Sequence, residues 1–189
     1  FGDCRLFAAR GCIMTDRFRL SSTLGRRLEE QGVAAEGVLR LAGLPSGLFG
    51  QSRIWLSTAE MCAFYGAIHE LSGDPAIGLK LGSESRPEYF TQIAIAALYS
   101  RTFGEALQRM ARYKRLTAPE EIRVSERGGE CAVEFLWLLG ERTEAPVWVD
   151  LCFAWTFSVV RRGTGSDIRH SRPISSSCWN WWSRSSKRS

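Results

Sequence analysis

The spacing of apolar residues changes at Pro119, and this change limits the fold more sharply than any other feature of the chain. Ahead of it apolar positions recur every three or four residues. Behind it "EIRVSE" and "CAVEFLWL" alternate, with "RGGE" between them. A period of two sends successive side chains to opposite faces of a strand, so this stretch predicts a β-hairpin with Cys131, Val133, Phe135 and Trp137 on one face. "GERTEAP" breaks the chain, and "VWVDLCFAWTFSVVRR" returns to helical spacing. Val149, Phe153 and Phe157 form one stripe of that helix, which is apolar enough to be buried on most of its circumference. Helices, a hairpin and a further helix make the expected class α+β, mostly helical with a small antiparallel sheet, and not a doubly wound parallel sheet.

The helical part can be read in more detail. From Ser22 onward Leu24 and Leu28, then Val38, Leu39 and Leu41, mark apolar faces, and Gly32 divides the run into two short helices. "GLPSGLFG" is a loop supplied with turn residues. In "STAEMCAFYGAIHELSG" Ser57 and Glu60 stand at capping-box positions; Met61, Phe64, Tyr65, Ile68 and Leu71 form the stripe, and Gly73 ends it. Asp74 and Pro75 are placed to restart a short helix, as cap and first residue. The hydrophobic "YFTQIAIAALYS" precedes a second capping box, Thr102 with Glu105. The helix "FGEALQRMARYKRL" then turns Leu107, Met110 and Ala111 inward, with Arg109, Arg112 and Lys114 mostly outward as solvated surface.

Charge and cysteine narrow the function classes. The net charge of +5 is carried entirely by Arg169, Arg172, Arg184, Lys187 and Arg188, so Phe1 to Ile168 balances at zero and offers no footprint for a phosphate backbone. The closing "SSSCWNWWSRSSKRS" mixes tryptophan with basic residues but has no helical or strand period to array them. Six cysteines occur at irregular spacing without a CxxC pair, and Cys62 and Cys152 fall inside helical patterns, so buried thiols in a reducing cytosol are expected. No metal site is expected, because His69 and His170 are the only histidines and neither lies near a cysteine pair. No apolar run reaches the ~18 residues of a membrane span. No phosphate loop, dinucleotide fingerprint or nucleophile elbow is present; "GLKLG" and "RRGTG" have the wrong spacing. Cys62 and His69 lie two turns apart, about 10 Å, too far for a dyad. No catalytic residue is therefore assigned, and no cofactor.

"LAGLPSGLF", "RIWLSTAEMCAFYGAI", "SGDPAIGLKLG" and "ALYSRTFGEALQRMARYKRL", in that order and spacing, resemble the amino-terminal domain of a branch of the arabinose-regulator (AraC) family of bacterial transcription regulators. The resemblance runs from about Leu20 to about Arg162. It implies an effector-sensing and dimerising domain, normally followed by a pair of helix-turn-helix motifs. On this reading residues 14–168 are the effector-binding and dimerisation domain. Residues 1–13 are upstream read-through without structure, and 169–189 are an aberrant disordered basic tail in place of the family's continuation. The expected partners are a small-molecule effector and a second copy in a homodimer, in the cytoplasm, with no membrane and no specific DNA binding by this chain alone. Tyr65, Tyr99, Tyr113 and Trp137 are the aromatics able to contact a ligand. The alternatives are a free-standing interaction module that pairs with intact regulators and, behind it, an enzyme.

Overall fold

In a computed structural model, residues 17–83, 86–114, 118–127, 130–137 and 146–164 are described. The expectations for residues 1–13 and 169–189 lie outside them. The first element, β1 (Arg17–Leu20), alternates Arg17 and Arg19 outward with Phe18 and Leu20 inward. It pairs antiparallel with β2 (Ile54–Ser57), Phe18 opposite Leu56 and Arg19 opposite Trp55. Four-residue strands are too short to show a period, so this pair was not legible beforehand.

Between the two strands run α1 (Leu24–Glu30) and α2 (Ala35–Leu41), separated at Gly32, whose φ of 76° is the left-handed region that glycine enters without strain. The expected capping box then opens α3 (Thr58–Ser72). The Glu60 N–H donates to Ser57 Oγ at 3.2 Å, and the Ser57 N–H donates to Glu60 Oε2 at 2.7 Å. Gly73, at φ 59°, closes the helix. The next helix, α4 (Ile77–Gly82), begins later than expected: Asp74 closes the turn ahead of it, accepting from the Ala76 N–H at 2.8 Å and pairing with Lys80 at 2.6 Å, and Pro75 lies in that turn. The hydrophobic stretch forms α5 (Gln92–Leu98), capped by Thr91. Thr102 accepts from the Glu105 N–H at 3.1 Å at the start of α6 (Phe103–Lys114).

The predicted hairpin is present as β3 (Glu120–Arg127) and β4 (Glu130–Trp137), Val124 opposite Val133. The last element, α7 (Pro146–Thr164), is buried or half-buried at every residue from Pro146 to Val160 except Phe153. Phe153 and Phe157, with ring centroids 4.7 Å apart, lean on Phe135 of β4 at 5.6 and 6.4 Å.

Two apolar clusters meet along α7. Val147, Trp148 and Cys152 join Leu28, Val38, Phe64, Ile68 and Leu81. Val159 and Val160 join Ala94, Ala97, Leu107 and Met110, against which Val124, Val133 and Trp155 also pack. Seven α-helices and two two-stranded antiparallel sheets, counted among the described residues, make the class α+β as expected. None of the described helices is long and apolar enough to cross a membrane.

One assignment on α6 is overturned. Arg112 is exposed and Arg109 is half-buried, paired with Glu105 at 2.6 Å, but Lys114 is buried. The reason is geometric: Lys114 stands four residues after Met110 and seven after Leu107, on the inward face.

Candidate functional site

Because Lys114 is the last residue of α6 and Glu120 the first of β3, the short connection brings both charges to the same point in the interior. Their side chains are 7% and 0% exposed, and Lys114 Nζ lies 3.1 Å from Glu120 Oε1. The ammonium also sits 5.0 Å from the ring centroid of Trp155, so the indole face meets its other side. Glu120 Oε2 has no N–H or O–H donor within reach among the described residues. The buried Cys152 thiol, a weak donor, adjoins it.

The electrostatics follow from burial. For Lys114 burial opposes the charge, but the Cys152 sulfur and the Glu120 carboxylate outweigh it and raise the pKa above the ordinary lysine value. Burial pushes the Cys152 thiol far up, with Glu120 adding to the effect and Lys114 opposing it. The Tyr65 hydroxyl is likewise pushed far up, chiefly by burial and then by Cys152, with Arg27 acting the other way. Tyr65 thus belongs electrostatically to the same cluster. Its ring stacks on that of Trp148, centroids 5.3 Å apart and 16° from parallel.

Arg27, on the inward side of α1, is near enough for its charge to act on the Tyr65 hydroxyl. It is nearly buried, and its guanidinium lies 5.5 Å from the centroid of the Tyr89 ring, with Arg86 at 4.5 Å from the same centroid. The Tyr89 hydroxyl donates to Glu30 Oε1 at 3.0 Å, and Arg86 forks onto the same carboxylate. These contacts tie the turn at Pro87–Tyr89 down onto α1.

Neither the thiol nor the carboxylate is held in a reactive state. A thiol held protonated is no nucleophile at neutral pH, and a carboxylate locked to an ammonium is a poor base. Among the described residues no three His, Cys, Asp or Glu side chains gather as metal ligands, and His69 is exposed. What the cluster offers is a buried carboxylate oxygen with acceptor capacity to spare, beside an ammonium, an arginine and two stacked aromatic rings.

Of the three predicted aromatics whose side chains are described, the fold brings Tyr65 to this place. Tyr99 is 81% exposed beyond the end of α5, and Tyr113 is exposed on α6. The Trp137 side chain lies outside the described residues. Sequence reasoning missed Arg27, Lys114, Glu120 and Trp148. A signal existed for two of them: Arg27 adjoins Leu28 and follows Leu24 by three, and Lys114 follows Met110 by four, so both charges stand on apolar stripes. A surface hollow of about 340 Å³ beside α2, lined by Glu36, Arg40, Leu44 and Ser46, contains none of the predicted aromatics.

Comparison with protein families finds a match to the arabinose-binding domain of AraC transcription regulator, N-term, over residues 32–172. A search of curated proteins returns no match.

Proposed function

The chain belongs to the family of the amino-terminal arabinose-binding domain of the AraC transcription regulator, and from that premise we propose that it binds its effector at the interior cluster of Arg27, Tyr65, Lys114 and Glu120. Membership makes it a ligand-sensing regulatory domain. The observation that supports this particular site is the Glu120 carboxylate, wholly buried, with one oxygen on Lys114 and the other lacking an N–H or O–H donor among the described residues. An acceptor left so costs about 1–3 kcal/mol, and a small polyhydroxylated or amino-bearing effector relieves that cost by donating to it. The family's name points to the sugar class first.

The signal is a population shift. An effector that binds one packing of α6, β3 and α7 better than another changes the surface those elements present, and by reciprocity that surface changes effector affinity. We assign the domain to a cytoplasmic homodimer, with exposed Ile95 of α5 and Tyr99 just past its end as apolar surface available for pairing. We assign it no catalytic step.

Thermal denaturation of the chain against panels of free pentoses, polyols and amino acids tests this reading. An effector at a hundred times its Kd adds about 2.7 kcal/mol. One chemical class should raise the Tm, and Glu120→Gln and Tyr65→Phe should each diminish the rise. A rise that both variants leave intact moves the effector elsewhere, and no rise with any class removes the sensing role.

A further inference from the structure

The outer face of the β1–β2 pair carries two arginines and one tryptophan, with a third arginine in the bend directly before β2. Arg17 and Arg19 are two apart on β1 and so share a face; Trp55 stands opposite Arg19, and Arg53 precedes Trp55 by two. All four are exposed, Trp55 to 48%. Among the described residues none of the three arginines is in an ion pair. No acid occurs within "RFRLS" or "QSRIWLS". The nearest one in sequence after β2, Glu60, is committed to the Ser57 N–H. Asp16 directly precedes Arg17 but lies outside the described residues, so the described face carries three positive charges without an acid about a half-exposed indole.

We propose that this face docks an acidic segment of another protein, its carboxylates on Arg17, Arg19 and Arg53 and an apolar side chain on Trp55. Charge complementarity selects the occupant. The chain's own ends do not supply the negative charge: Arg5 and Arg10 balance Asp3 and Asp16 in residues 1–16, and residues 169–189 hold basic residues without an acid. A second copy offering the same face is repelled by it. A nucleic-acid strand fits less well, because one indole stacks one base and the neutral body offers no basic stripe along which a phosphate backbone could run. Arginine also suits carboxylates in particular, since its planar fork binds them through two parallel hydrogen bonds, and tryptophan with arginine is the pair most enriched where interface energy concentrates. This inference is independent of the effector site.

The test is fluorescence anisotropy at low salt, with the full chain and a short labelled Glu-rich peptide carrying one central leucine. The chain should bind the peptide, and salt should weaken the binding. The combined variant Arg17→Gln, Arg19→Gln, Arg53→Gln and the separate variant Trp55→Ala should each weaken it at least about tenfold. Their circular dichroism and Tm should match the wild type, since all four side chains are exposed. Absence of binding, or equal binding by the arginine variant, overturns the proposal. A labelled single-stranded oligonucleotide that binds more tightly than the peptide through the same arginines replaces it with a nucleic-acid face.

Discussion

Gly82 on α4 is where one methyl group tests how α4 sits on α7. A Cβ built there collides with the Leu151 carbonyl oxygen and lies 2.7 Å from Ala154 Cβ and 3.0 Å from Leu151 Cα. Gly78, one turn earlier, is similar, its Cβ 2.6 Å from the Val147 carbonyl oxygen. The two glycines form the groove that receives the α7 backbone. Gly82→Ala brings opposing effects. Helix propensity and the stiffer unfolded chain favour alanine by about 1 kcal/mol. Against this, a contact that close to a main-chain carbonyl cannot be relieved by a rotamer change, so the helices must part by nearly 1 Å. A gap of that size forfeits a quarter to a half of each dispersion contact along the seam, including those of Ile77, Leu81 and Trp148. Overpacking costs about 1–3 kcal/mol and more where only backbone can yield. We expect net destabilisation of about 1–3 kcal/mol, a fall in Tm of several degrees. Gly66, inside α3, is the control: nothing lies within 4 Å of its Cβ, so Gly66→Ala should stabilise by about 0.5–1 kcal/mol. Urea unfolding of the two variants beside the wild type measures both. If Gly82→Ala stabilises as Gly66→Ala does, the close packing of α4 on α7 is wrong.

Removing one partner of the Lys114–Glu120 pair, as in Lys114→Met, should cost about 3–5 kcal/mol by leaving a buried carboxylate uncompensated. Lys114→Met with Glu120→Leu should recover much of that loss in the same denaturation assay. Alkali should unfold the domain early. Tyr65, Cys152 and Lys114 all have raised folded pKa values, so each contributes stability that is full below its unfolded pKa and lost as pH rises through the folded one. The Tm should therefore fall from about pH 9 upward, and Tyr65→Phe should flatten the decline. Cys152 should resist alkylation in the native chain while half-buried Cys62 reacts sooner; equal rates would place Cys152 at the surface.

Much of the local structure follows from short-range pattern. The Ser57–Glu60 capping box, the stop at Gly73 and the alternation on both sides of "RGGE" are settled by a backbone's own geometry, so residues close in sequence were enough to place α3 and the hairpin. The resemblance to the regulator family rests on the helical blocks ahead of the hairpin, the capping box and the Gly73 stop among them, and the family match covers these and the hairpin. Tyr65 could be placed on an inward stripe for the same reason. Lys114 shows the limit of short-range pattern: its period places it on the inward face while its charge argues for solvent, and only the carboxylate of Glu120 decides between them.

Period and composition by themselves determined that the chain is α+β, where its main helices and hairpin lie, and that its body is neutral. Tertiary structure decided the rest. It decided that β1 finds β2 beyond two helices, because strands of four residues hold their register only through a partner. It decided that Gly78 and Gly82, in a "GLKLG" without the spacing of a nucleotide loop, make room for α7. It decided that Lys114 goes inside, because burying an ammonium depends on a carboxylate being waiting there, and Glu120 arrives from a different element. A residue's face follows from the repeat of its own backbone, whereas its partner depends on how elements distant in sequence pack, and the candidate site is built from partners.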